Sequence, residues 1–331
     1  MTGKSVEKIK KALNGISYGV FDITSFGHDD PFDAGMARRM SVSADGKGKI
    51  DEYVLFSGVT AAFHQYMADE VHFKHDPERF VLHIDYCNTG RIGWNIGGET
   101  LYLGSGDMCI HSSTGCSDSA MALPLGYYDG ISFSVDLRAL KTCCPPIVHE
   151  AGFDADMVYE KFCSCSQPFV ILSNSIVESV FLPLYAIPED LKIPYCKLKA
   201  QEMLAYLIWL DLNSAKETAK YGSQQAQVIK ELHDFLVDNL ETRYTIEALA
   251  KKYLLNTSTL KTMFKDIYGM PVASYVKERR MEKAMKLLQE TDETVASIAE
   301  KVGYESQGKF AQAFKEKTSQ LPTEYRKLYR K

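Results

Sequence analysis

No apolar run in this 331-residue chain is long enough to cross a bilayer. The strongest, Met203 to Leu210, stops at Asp211, whereas a spanning helix needs about 20 apolar residues. The N-terminus also lacks the apolar segment of a signal peptide, because Lys4, Glu7, Lys8, Lys10 and Lys11 interrupt it. A cytoplasmic location without a membrane partner is expected, and reduced thiols are the default there. No nucleophile motif, glycine-rich phosphate loop or paired-carboxylate pattern is present, so no enzyme chemistry is displayed and no cofactor is expected. Cysteine is missing after Cys196, so any thiol chemistry belongs to the front of the chain.

What is present suits a folded protein of about two domains. A hydrophobic fraction of 45% with 11% aromatics supplies real cores and excludes disorder. The net charge of −5 hides a division, since Ser223 to Lys331 carries 19 basic and 15 acidic residues. The rest carries 19 basic and 28 acidic residues, so an acidic front precedes a mildly basic back. That asymmetry fits a sensor joined to a nucleic-acid reader.

From about Glu78 to Val135, short apolar runs alternate with glycine turns such as Gly97-Gly98 and Gly104-Ser105-Gly106-Asp107. Short strands at regular spacing predict a small antiparallel barrel or sandwich. After Pro145-Pro146 the pattern turns helical, with segments predicted at Ser175–Leu184 and Tyr195–Leu212. The second has a broad apolar face (Leu198, Met203, Leu204, Leu207, Ile208, Leu210), to pack on the barrel, to form a dimer seam, or both. Three parts are expected: 1–212 as sensor and dimerisation domain, a polar linker at 213–223, and a reader at 224–331.

The reader repeats itself. Thr245-Ile246-Glu247-Ala248-Leu249-Ala250 returns 49 residues later as Thr294-Val295-Ala296-Ser297-Ile298-Ala299. Leu260, Phe264, Lys265 and Tyr275 return 50 residues later as Phe310, Phe314, Lys315 and Tyr325. Such a repeat is one supersecondary unit used twice. Each copy reads as two short helices with a tight turn, and a longer helix from Pro271 to Gln289 joins the copies. Two helix-turn-helix units can read two stretches of the major groove of double-stranded DNA. In the first copy Thr257, Ser258, Lys261, Thr262 and Lys265 point outward, giving small or hydroxylic groups for bases and cations for phosphates. In the second, Ser306, Gln307, Lys309, Gln312 and Lys315 take these places, beside Gly308 and Ala311. The first face is richer in donors and charge, so it is expected to carry most of the sequence choice.

These residues resemble the AraC/XylS family of bacterial transcription regulators. The resemblance lies in Gly269-Met270-Pro271-x3-Tyr275, Arg280-Met281-Glu282-x-Ala284-x2-Leu287-Leu288, Ile298-Ala299-x3-Gly303-Tyr304-x-Ser306, Phe310-x3-Phe314-Lys315 and Pro322-x2-Tyr325-Arg326. It runs from Gln224 to Leu328, with Ser319 where the family usually carries glycine. It implies an α+β multidomain protein, with a cupin-like antiparallel β-barrel and flanking helices before an all-α domain of two helix-turn-helix units. It also implies a small-molecule effector, a homodimer, and RNA polymerase as a partner if the output is activation. Gly106-Asp107-Met108-Cys109-Ile110 is similar to the turn that enters a strand in such barrels.

Within the barrel, Trp94, Tyr102, Tyr127 and Tyr128 are candidate aromatic walls for an effector, or core residues. His72 and His75 would share a helical face, but no third ligand follows at metal spacing, so no metal site is expected. Cys143, Cys144, Cys163 and Cys165, in loop-like sequence, offer the alternative of a metal- or redox-sensing regulator.

Overall fold

The structure is a computed structural model that describes residues 2–26, 41–74, 80–96, 99–113, 118–164, 168–211 and 220–330. The chain divides into two compact units, residues 1–223 and 224–331. Most of the expected linker, 213–219, lies outside the described residues, as do His75, Cys165 and Gly97-Gly98.

The first unit is built on two 16-residue strands, β2 (Ser41–Phe56) and β3 (Val59–Lys74), joined at Gly58. Gly58 has a φ of +74°, and a Cβ there would come within 2.4 Å of the Ala139 methyl. This long hairpin lies upstream of the span where strands were expected. Its β3 pairs first with β9 (Tyr128–Asp136) through Val59–Tyr66, then with β8 (Asp118–Ala122) through Glu70–Lys74. One strand shared between two neighbours in this way wraps the sheet into a nearly closed barrel. β4 (Val81–Gly90), β7 (Met108–Ser112) and β10 (Phe169–Ile171) extend it beyond β9. β5 (Ile92–Ile96), β6 (Glu99–Leu103) and β11 (Lys220–Gly222) extend it beyond β8. Thus the last residues of the expected linker form a strand, with Lys220 opposite Leu101. The described pairings are antiparallel apart from β1 (Phe21–Phe26), which runs parallel to β2.

Alternation along these strands sends side chains to two separate cores. Inside the barrel, Tyr66, Phe73, Trp94, Leu101, Leu103, Met121 and Tyr128 pack together. On the other face, Ile84, Tyr86, Ile131 and Phe133 meet a layer of helices. These are α2 (Leu137–Cys143), α3 (Pro146–Glu150), α4 (Ala155–Phe162), α5 (Ser175–Phe181) and α6 (Lys192–Trp209), while α1 (Thr2–Ala12) packs on β3. Phe181 stacks on Tyr86 with ring centroids 4.6 Å apart. Covered on both sides, β9 is buried along its whole length.

α6 begins three residues before the expected start and takes Pro194 into its first turn, where a missing N–H costs nothing. Met203, Leu204 and Leu207 are buried against the sheet, each contributing about 1.5–3 kcal/mol. Leu198, expected on that face, is instead 62% exposed, and Trp209 is 63% exposed.

The second unit is helical: α7 (Ser223–Asp238), α8 (Ile246–Lys252), α9 (Thr257–Tyr268), α10 (Val272–Glu290), α11 (Val295–Lys301), α12 (Gln307–Thr318) and α13 (Pro322–Tyr329). The helix-turn-helix copies are α8–α9 and α11–α12, joined by α10. Both are capped alike. Thr245 and Thr294 hydroxyls accept from the amides of Ala248 and Ser297, each at 3.1 Å. Asn256 and Ser306 then start α9 and α12 by accepting from Thr259 and Lys309 amides. In the first copy Phe264 packs edge-on to Tyr275, as Phe314 does to Tyr325 in the second.

Candidate nucleic-acid interface and barrel interior

Leu260, Met263, Phe264 and Ile267 turn one face of α9 into the core. The opposite face leaves Ser258, Lys261, Thr262 and Lys265 exposed, with Thr257 half-buried beside them. On α12, Phe310, Ala313 and Phe314 face inward, leaving Ser306, Gln307, Lys309, Gln312 and Lys315 exposed. The two faces differ in how far their groups are already engaged. Lys261, Lys265 and Lys315 pair with no carboxylate among the described residues. Lys309 reaches Glu305 at 3.3 Å, and the Gln312 amide donates to Glu316 at 3.3 Å. The Ser306 hydroxyl accepts from the Lys309 amide, so it acts as a cap as well as an exposed group. Each helix N-terminus also presents unsatisfied amides that suit a phosphate.

The comparisons agree with this geometry. A family model described as a helix-turn-helix domain matches residues 249–328. Over 107 residues the chain is 33% identical to the transcriptional activator AarP of Providencia stuartii, covering 32% of this chain and 79% of that protein. The chain belongs to the AraC/XylS family. It is also 35% identical over 86 residues to the transcriptional regulator AlkR of Acinetobacter baylyi, covering 26% of this chain and 28% of AlkR. The chain therefore spans under a third of AlkR's length. Among solved structures it is similar to unsaturated-fatty-acid-bound ToxT of Vibrio cholerae over 82% of this chain and 96% of that one, at 10% identity and a TM-score of 0.32. In this AraC/XylS chain the departure at Ser319 has a structural counterpart. Ser319 closes α12 with a φ of +62°, where Gly269 closes α9 at +79°.

The four aromatic wall candidates separate by strand alternation. Trp94 and Tyr128 face the barrel interior, where Tyr128 stacks on Tyr66 at 5.8 Å. Tyr102 is offset by one residue from the inward Leu101 and Leu103 and lies across from Gly93 on the outer face. Tyr127 packs outside, on Ile9 and Leu13 beside α1. The expectation that all four line one cavity is corrected by this one-residue shift.

The interior holds a polar belt that sequence reasoning missed. Ile50, Ala62, Cys87 and Cys109 point into the interior core, and Glu52, Thr60, His64, His83, Asp85 and His111 share their strand faces. Ser132 and Ser134 join them from β9, opposite Asp85 and His83. His64 bonds Tyr66 through Nδ1 at 2.6 Å and Ser132 through Nε2 at 2.5 Å. His83 bonds Ser134 at 3.1 Å, and His111 Nε2 lies 2.7 Å from Asp85. Burial pushes the His64 pKa down to about 4 against the opposing pull of Asp85. Burial would raise the pKa of Asp85, yet the His111 hydrogen bond and the nearby imidazoles hold it below the ordinary value. The Thr60 hydroxyl, in a residue only 1% exposed, has no hydrogen-bond partner among the described residues. None of the belt residues is lysine or arginine.

The remaining sequence candidates separate. His72 lies on β3, not on a helix, and pairs with Glu70 at 2.7 Å. Among the described residues no cluster of histidine, cysteine and carboxylates could hold a metal ion. Cys143 ends α2 rather than sitting in a loop, and Cys163 is buried in the helix-side core. Burial raises the pKa of Cys144, which keeps that thiol protonated and weakens it as a sensor. Gly106-Asp107 does form a turn into β7, where the Asp107 carboxylate accepts from the Gly104 amide at 2.9 Å.

Proposed function

We propose that this protein is a sequence-specific DNA-binding transcription regulator, with a small molecule bound in its barrel as the signal. The observation that carries the DNA reading is the pair of equivalent helix faces on α9 and α12, both polar and each carrying a lysine that pairs with no carboxylate among the described residues, Lys261 and Lys265 on α9 and Lys315 on α12. Selection of bound fragments from a random DNA pool tests it. Enrichment of two separated boxes is expected, and recovery of no preferred sequence would sink the reading. Its affinity should fall with salt in proportion to the phosphates neutralised.

The effector reading rests on the polar belt. Its carboxylates and imidazoles, without a lysine or arginine, favour an uncharged or cationic molecule rich in hydrogen-bond donors. A carboxylate or phosphate would meet the carboxylates of Asp85 and Glu52 in a belt whose named residues include no lysine or arginine. The ligand acts by binding one arrangement of the protein better than another. Stretch 213–219 serves as the linker in this scheme, and the exposed Leu198 and Trp209 on α6 support a homodimer seam. A panel of neutral polyols, primary amines and carboxylates of similar size, scored by thermal shift and by DNA affinity, tests the class. Polyols or amines should act on the wild type and lose effect in Asp85→Asn and Thr60→Val. Binding of carboxylates alone would overturn it.

A further inference from the structure

The two turns of the reader begin with the same backbone and have opposite surroundings. In the first, the Leu255 amide donates to Ala250 at 2.9 Å; in the second, the Tyr304 amide donates to Ala299 at 2.9 Å. Leu254 and Gly303 therefore occupy the same place, and both are left-handed, with φ of +54° and +75°. Yet Leu254 is 93% exposed while Gly303 is buried. A Cβ on Gly303 would come within 2.6 Å of both the Leu240 carbonyl oxygen and Arg280 Nη2. The second turn is thus pressed against the first half of the domain at Gly303, whereas Leu254 projects into solvent and the first turn touches its own half through the Tyr253 hydroxyl, which donates to the Glu231 carbonyl at 3.2 Å.

Arg280, on α10, sits in that seam, 8% exposed. Its Nε donates to the Leu240 carbonyl at 2.7 Å and its Nη2 to the Thr242 carbonyl at 3.1 Å, both in the first half. Its Nη1 donates to the Gly303 carbonyl at 3.3 Å, in the second half. Arg243 adds a bond to the same Gly303 oxygen at 3.5 Å and lies 3.7 Å from Glu305. Glu305 is the extra residue that lengthens the second turn and changes the repeat offset from 49 to 50. Beside the seam lies a cleft of about 230 Å³, lined by Tyr244, Val272, Val276, Lys277, Arg280 and Tyr304. Apolar packing is therefore incomplete along the seam, and a planar guanidinium shared among three carbonyls supplies the alignment.

We propose that Arg280, seated on Gly303, is a positioning residue that fixes the spacing and phase of the two recognition helices and so the operator spacing the protein accepts. One inserted base pair turns a DNA box by about a tenth of a helical turn, which a rigid pair of readers cannot follow. The test uses the full-length protein and the two boxes found by selection, moved apart or together by one and two base pairs. The wild type should lose about tenfold or more per base pair of displacement. Arg280→Met keeps the apolar stem and removes the donors, so it should bind the original and displaced operators within about threefold of one another. Leu288→Ala, which opens the core of the second half without touching the seam, should lower the melting temperature but keep the wild-type spacing preference. If Arg280→Met does not fold, Arg280→Lys decides, with partial loosening expected. An unchanged spacing preference in the folded variant, or equal loosening in Leu288→Ala, would overturn the proposal. Selection that yields no boxes at all would instead overturn the DNA-binding reading on which it rests.

Discussion

The two helix-turn-helix copies share caps, aromatic cores and helix lengths, and they differ where glycine is placed. The first has leucine in its turn at Leu254 and glycine at its closing cap, Gly269. The second reverses this, with Gly303 in the turn and Ser319 at the cap. Left-handed backbone costs a non-glycine residue about 1–2 kcal/mol, so each copy bears that strain once and at a different place. The reason is visible only at Gly303, where a side chain would strike the Leu240 carbonyl. A duplicated unit keeps its hydrogen bonds while its neighbours decide which residue each position tolerates.

That comparison can be broken most sharply at the turn. Gly303→Ala should destabilise the reader by about 2–4 kcal/mol, combining left-handed strain with overpacking against backbone. Leu254→Gly should be neutral or stabilising by up to about 1 kcal/mol, since it removes strain and meets nothing. Chemical denaturation of both variants checks this, and equal effects would show that the turns are equivalent after all. Next come the reading faces. Lys261→Ala and Thr262→Ala should each cost about 1–3 kcal/mol on the selected operator and little on random DNA, with a smaller operator-specific loss for Gln312→Ala. Competition binding against random fragments measures the difference, and a larger specific loss at Gln312 would reverse the ranking of the copies. Lys265→Ala and Lys315→Ala should weaken every sequence alike and each reduce the salt slope by about 0.9, which titration at several salt concentrations reads. The smallest effect belongs to the cap: Ser319→Gly should stabilise by about 0.5–1 kcal/mol in a thermal melt.

The reader was legible in the sequence because everything that builds it is local. Thr245, Asn256, Thr294 and Ser306 cap as their types suggest, and Phe264 and Phe314 recur at the right spacing. The role of Arg280 was not legible, because a charged residue in a helix reads as solvated unless the carbonyls it meets are known. The barrel was only half legible. The strands β2 and β3 escaped notice because Glu52, Thr60 and His64 stand at inward positions where an apolar residue marks a strand. Alternation cannot tell polar groups facing a lumen from polar groups facing water. The same ambiguity hid His83, Asp85 and His111, and it put Tyr102 on the wrong side of its sheet. Leu198 failed for a related reason: a helix broad enough to be buried on two sides need not be covered on both.

The contrast between Leu254 and Gly303 also bears on how such a protein can change over time. A turn pressed into a seam is locked, since nearly every substitution there disturbs the alignment of both halves. A position open to solvent, such as Leu254, is free to drift. On the proposed reading, new operators would be acquired by stepwise change on the exposed face of α9 while α12 and its seam hold the frame, so the strained and solvent-facing leucine marks the half of this reader open to evolutionary experiment.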